Sequence, residues 1–329
     1  MLSRHFLRAK ALQAIYSYKT SGGTDPVSAG KSFDYNIGRL NELGALQLAT
    51  LREVVAAGRQ VIEDGLHKHL PSYEDLHPSY RVVDSPFLAR LFSNFDYRQQ
   101  TEQYTFPWSE NADVMRKIYI GFKETDKYRN FIATEEGDFA TEQRMALDLF
   151  KYIINEEHFR ELFSERSLLW EDDFDQMAQY NYATLKSLND ADLDEAFRLP
   201  MMNDLREERD VEAYQFAHQL VIDTCKGIDA NEQLIRKYLH NWEFERVALM
   251  DILLINMAIT EFTCCPSIPE RVTVDEYIEL SKEFSTDKSK IFVNGILDKL
   301  MLELRAAGKI KKSGRGLYAP DEEERGDEK

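Results

Sequence analysis

The chain has 329 residues, with 41 Lys and Arg against 58 Asp and Glu, a formal net charge of −17 and 43% hydrophobic residues. That length suits one large or two modest domains, and that apolar share excludes a disordered polyelectrolyte. The charge excludes indiscriminate coating of duplex DNA, because such affinity comes from cations that neutralise phosphates.

Residues 3–20 set Leu7, Ala11, Ala14, Ile15 and Tyr18 at three- and four-residue steps, one apolar face of a helix with Arg4, Arg8 and Lys19 off the stripe. Gly22-Gly23-Thr24-Asp25-Pro26 ends it. From about 35 to 70, Leu40, Leu43, Leu51, Val54, Val55, Val61, Ile62 and Leu66 predict one or two long helices, broken afterwards by Pro71, Pro78 and Pro86. Residues 87–140 are rich in aromatics and predict helices with long connections. Helical periodicity returns at about 141, then over 157–164, 172–188, 207–226 and 229–239. The segment 243–262 is apolar nearly all round and belongs in the middle of a bundle. Thr273 and Glu276 have the spacing of a capping box for a helix over 274–284. The last long helix, 288–306, carries Phe292, Ile296, Leu300 and Leu304 on one stripe and stops at Gly308. Gly295 within it predicts a close backbone approach, since glycine costs a helix interior roughly 1 kcal/mol. No useful strand pattern occurs, so the fold class is all-α. A faint echo links Phe150–Leu185, with Trp170-Glu171, to Leu220–Ile255, with Trp242-Glu243, either as a repeat or as chance similarity between helical segments.

Charge is unevenly spread. Residues 1–20 hold Arg4, Arg8, Lys10 and Lys19 and no acid, and residues 299–319 hold six Lys and Arg against Glu303 alone. Residues 155–212 hold 17 acids against six bases, and the last nine residues hold six acids against two bases. The three cysteines, Cys225, Cys264 and Cys265, are too few for a disulfide framework. No signal-peptide core opens the chain, and its strongest apolar run, Val247–Ile259, is interrupted by Asp251 and Asn256. A cytoplasmic protein without a membrane span is expected.

Catalytic chemistry finds no support. His67, His69 and His77 lack zinc spacing with cysteines or carboxylates, and Cys264-Cys265 has no second pair, so no metal or other cofactor is expected. No phosphate-cradling or nucleophile-elbow motif occurs. Glu156-Glu157 and Asp172-Asp173 read as solvated helix surface. What remains is recognition. Arg4, Arg8 and Lys10 accompany Phe6, Tyr16 and Tyr18 in the first helix, and Lys288, Lys290 and Phe292 open the last. Cations for phosphates and rings for unpaired bases suit single-stranded RNA, although Tyr16 and Phe292 also fit a core.

The run Asn241-Trp242-Glu243-Phe244-Glu245-Arg246, then Asp251 and Leu254–Phe262, resembles the central helix of the NusB transcription antitermination family. Ile268-Pro269, Val274-Asp275-Glu276, Glu279–Phe284 and Phe292–Lys299 continue the resemblance, and Arg8, Ala11 and Gln13–Ser17 are similar to the family's first helix. It implies a NusB-like core from residues 1–24 and 206–309, a helical insertion over 25–205 and a charged, disordered tail over 310–329. It also implies a noncatalytic antitermination factor that pairs with the ribosomal protein NusE, binds boxA-type RNA of ribosomal RNA leaders and joins an RNA polymerase antitermination complex. RNA contacts then fall to Arg4, His5, Arg8, Lys10, Gln13, Tyr16, Lys288, Lys290 and Phe292, and contacts with the basic partner to Glu245 and Asp251. The first helix carries fewer arginines than the family's basic motif, with His5 and Phe6 in its middle. The alternative is an interaction scaffold for ribosomal or polymerase subunits with little RNA specificity. The RNA reading asks the two cationic helices to form one surface.

Overall fold

Side-chain caps fix where several helices begin: the Ser3 hydroxyl accepts from the Phe6 N–H, Asn94 from those of Asp96 and Tyr97, Thr125 from that of Tyr128 and Asp138 from that of Thr141. The structure is a computed structural model that describes residues 3–134, 137–167, 170–191, 193, 208–239 and 244–317. Its described residues form fourteen α-helices and no strand, the all-α class expected. They are α1 (Arg4–Thr20), α2 (Pro26–Leu66), α3 (Tyr73–Leu76), α4 (Pro86–Ser93), α5 (Phe95–Glu102), α6 (Ala112–Lys123) and α7 (Asp126–Ala133), then α8 (Phe139–Asn155), α9 (Glu157–Arg166), α10 (Phe174–Ser187), α11 (Glu208–Arg236), α12 (Leu249–Cys264), α13 (Glu270–Phe284) and α14 (Ser289–Ala306). Among the described residues, no helix is long and apolar enough to cross a membrane and no group of side chains could hold a metal ion.

The chain divides into two compact units, Gly38–Asp204 and Leu2–Ile37 with Leu205–Lys329, the first division falling inside α2. In the Gly38–Asp204 unit, α8 packs against α4, α6, α7, α9 and α10. Rings fill the core. Phe163 lies against Phe106, Phe159, Trp170 and Phe174, and the buried Trp170 donates its indole N–H to the Arg39 carbonyl at 3.0 Å.

In the second unit α12 is central, with every residue from Asp251 to Phe262 buried. It packs against α1, α11, α13 and α14, the place its apolar circumference demands. Four expectations need correction. The 207–239 region is one helix through Arg236, not two. A 3-10 turn, Phe244–Arg246, stands where the central helix was expected to begin. Helix α13 starts at Glu270, so Thr273 sits inside it and donates to Glu261 at 2.9 Å in place of capping. A Cβ at Gly295 would meet nothing within 4 Å, so no close approach explains that glycine.

Residues 310–317, expected to be loose, dock as a strap. Gly308, at φ +66°, turns the chain out of α14, and Ser313 N–H donates to the Pro266 carbonyl at 2.9 Å. Lys312 Nζ donates to the Glu261 and Cys265 carbonyls at 3.1 and 2.9 Å, satisfying the C-terminal end of α12. Gly316 lies against the Pro266 carbonyl, where a Cβ would come within 2.0 Å. The rest of the expected tail, 318–329, lies outside the described residues.

Candidate nucleic-acid interface

Helix α1 is held by a buried carboxylate in α12. Glu261, 0% exposed, accepts from Arg8 Nε and Nη2 at 2.8 Å each, from Thr273 Oγ1 at 2.9 Å and from Tyr277 OH at 3.1 Å. Arg8 is itself 1% exposed. Burial disfavours its charge, yet the bidentate bond to Glu261 outweighs that and holds the guanidinium above its ordinary pKa. Burial and the Glu261 charge push the Tyr277 phenol far up, so it stays a donor. This arrangement ties α1, α12 and α13 together.

Arg8 is therefore corrected from an RNA contact to a structural cation, because both its exposure and its hydrogen-bonding fork are taken up inside the protein. Lys10 is corrected similarly: it is 3% exposed, donates to Gln13 Oε1 at 2.9 Å and lies over the Phe6 ring at 5.4 Å. Asp251 is buried at 5% exposed in the first turn of α12, where Ser289 Oγ donates to it at 2.9 Å. That geometry ties the start of α14 to the start of α12 and presents no carboxylate to a partner. Glu245 belongs to the turn before α12, and its side chain lies outside the described residues.

The others stay at the surface. Arg4 is partly exposed, 4.0 Å from Glu212 and 5.5 Å from the Phe216 ring centre. Gln13 is half-buried, and Tyr16, at the same side-chain-bearing helix, is 40% exposed. Lys288 and Lys290 are exposed with no ion pair among the described residues, and Phe292 is half-buried.

The two cationic helices do not pack principally on each other. Helix α1 packs on α11, α12 and α13, while α14 packs on α12 and α13. They meet through α13. His5 Nδ1 lies 2.9 Å from Glu276 and its Nε2 3.0 Å from Glu283, one residue before α13 ends and five before Lys288. Burial opposes charge on His5, but hydrogen bonds to these two carboxylates prevail and raise its pKa above 6.5. The imidazolium thus offsets two acids of α13.

A second feature went unread in the sequence. A cleft of about 1200 Å³ opens among Arg4, the α11 face at Gln215 and Phe216, the turn at Ile268 and the strap at Arg315. The cue was present: Gly308, Gly314 and Gly316 punctuate the basic run. Only the strap's anchor at Pro266 gives that run a place. Glu261 had a cue as well, an acid within an otherwise apolar helix.

Residues 174–302 match the model of the NusB family. The match begins with α10 and does not include α1. A transcription antitermination protein NusB from Salinibacter ruber is 35% identical over 149 residues, which are 45% of this chain and 89% of that protein. One from Chloroherpeton thalassium is 39% identical over 108 residues, 33% of this chain and 51% of that protein. One from Natranaerobius thermophilus is 32% identical over 121 residues, 37% of this chain and 87% of that protein. No solved structure matches.

Proposed function

Since this chain belongs to the NusB family, as an enlarged member, we propose that it is a transcription antitermination factor that binds single-stranded boxA-type RNA together with the ribosomal protein NusE. The observation that carries the RNA part is that Lys288 and Lys290, five and seven residues after the Glu283 that His5 offsets, are exposed and have no ion pair among the described residues. Cations that lack internal partners are available to phosphates, and the exposed Tyr16 ring is available to an unpaired base. Arg4 and Gln13 extend this set along α1, and Phe292 along α14. Catalysis is no part of the reading, since its chemistry is the neutralisation and stacking of a ligand left unchanged.

The test is an equilibrium titration of the full chain, with and without NusE, against a boxA-like RNA and a scrambled strand of equal length. The boxA-like strand is expected to bind more tightly, with a logarithmic salt slope of about two to four. Lys288→Glu is expected to flatten that slope, and Tyr16→Ala to weaken binding by about tenfold, the lower part of the range for one lost stack. Equal affinity for the two strands overturns the reading. One observation favours a second reading, a scaffold for basic protein partners: residues 38–204 carry 31 Asp and Glu against 18 Lys and Arg. Partner capture without discrimination between the strands selects it.

A further inference from the structure

The basic carboxyl-terminal run has no role in the interface at the end of α13. Its placement is nonetheless specific. Lys312 is committed to the α12 carbonyls, and the Ser313 and Gly316 backbone fits against Pro266, which leaves Lys309, Lys311 and Arg315 exposed along a fixed strap. Arg315 has no ion pair among the described residues, and it lines the cleft. The two carboxylates of that cleft are already offset. Glu276 lies 2.9 Å from His5 and 3.4 Å from Arg8, and Glu212 lies 4.0 Å from Arg4.

The cleft also shows apolar surface that the fold does not bury. Val272 is 41% exposed and Leu317 70%, and they line the cleft with the half-buried Phe216, whose ring centre is 5.0 Å from the Arg8 guanidinium and 5.5 Å from that of Arg4. About 1200 Å³ is room for more than one nucleotide-sized group. Apolar walls, an aromatic ring and the Gln215 amide suit a base, and exposed cations on an anchored backbone suit the phosphates that flank it.

We propose that this cleft and strap form a second binding site for single-stranded RNA, in which the cleft receives an unpaired base beside Phe216 while Arg315 and Lys311 hold the adjoining phosphates. This deepens the RNA reading given above and rests on it. Arg4, at the amino end of α1 next to His5, links the α13 junction to the cleft, so one strand can occupy both. The strap lies beyond residue 302, where the match to the family model ends.

The test uses the full chain and a fluorescein-labelled 14-nucleotide single-stranded RNA, titrated between 0.05 and roughly 0.5 M salt, a range over which counterion release is readily measured. Each single-strand phosphate contact contributes about 0.7 to the slope, so Lys311→Gln with Arg315→Gln lowers it by about 1.4 and weakens binding about 25-fold at 0.1 M salt, relative to 1 M. A 4-thiouridine RNA is expected to cross-link to the strap or to the segment around Phe216, and to lose that cross-link in the double variant. Lys288→Gln is the control for the other site. If Lys288→Gln weakens RNA binding and the double variant leaves slope and cross-links unchanged, the second site is refuted and the α13 junction stands. Absence of RNA binding by the unaltered chain removes both. If the double variant loses affinity for a hexaglutamate peptide but not for RNA, the cleft serves an acidic peptide and the proposal is overturned.

Discussion

The two units bury different kinds of core. Residues 38–204 hold 23 of the 38 aromatic residues, and their centre is rings on rings around Phe163 and Trp170. The other unit has at its centre a carboxylate of α12 that accepts four hydrogen bonds from side chains of two other helices, α1 and α13. Charge divides with them, since 31 of the 58 acids lie in 38–204 against only 18 of the 41 bases. A core of rings tolerates exchange of one apolar shape for another of similar volume. A buried ion pair does not tolerate loss of one member, because the other is left charged and unpartnered. The second arrangement writes itself into particular residue types at particular positions.

The largest effect is expected where that difference is greatest. Arg8→Met leaves Glu261 buried beneath two hydroxyl donors and no cation, which is expected to cost about 3–5 kcal/mol in denaturant unfolding. Adding Glu261→Gln removes the orphaned charge while keeping an acceptor for Thr273 and Tyr277, and should restore at least half of the loss. A double variant as unstable as Arg8→Met would show that packing, not charge, makes this centre sensitive.

The polar exception in the ring-filled unit is smaller. Asn181 Nδ2 donates to the Gly44 carbonyl and to Gln47 Oε1, both at 3.0 Å, and Gln47 Nε2 donates to the Phe174 carbonyl at 3.0 Å. These groups are neutral, so Asn181→Ala is expected to cost about 1–3 kcal/mol, the range for leaving a buried acceptor without its donor. Hydrogen exchange should report the loss in α8 and α10. A cost matching that of Arg8→Met would erase the distinction between the cores.

Helices were legible in both units because heptad-like spacing records burial whatever fills the core; α1 and α14 lie within one residue of their expected spans. Function was legible only in part. The cations of α1 were all visible, but periodicity places Arg8 beside the apolar stripe and carries no sign of a carboxylate 253 positions away. Thr273 and Glu276 fit the capping spacing, yet the helix had already begun at Glu270, and a partner in α12 claimed the hydroxyl. Gly295 fits the rule for close packing and faces open space. In each case the deciding partner is distant in sequence. The strap shows the same thing from the other side: its glycines were plain, and Pro266, their reason, was some 50 residues earlier.

The smallest effect probes where the ionic centre reaches the surface. Both nitrogens of His5 face carboxylates, Glu276 at 2.9 Å and Glu283 at 3.0 Å, and Arg8 also approaches Glu276 at 3.4 Å. A neutral imidazole has one N–H and can serve only one of the two acids; the imidazolium serves both. Because the folded pKa is raised above 6.5, the stabilisation is complete below that value and is lost as pH rises through the folded pKa. His5 is partly exposed, so solvent screening keeps the change well under about 1 kcal/mol. Melting temperature is expected to fall between pH 6 and about 8.5 more steeply in the unaltered chain than in His5→Gln, whose amide keeps one donor at every pH. RNA affinity should fall over the same interval, since deprotonation removes the positive charge that His5 sets against Glu276 and Glu283. Equal pH slopes in the two proteins would place the sensitivity elsewhere and leave the ionic centre ending at Arg8.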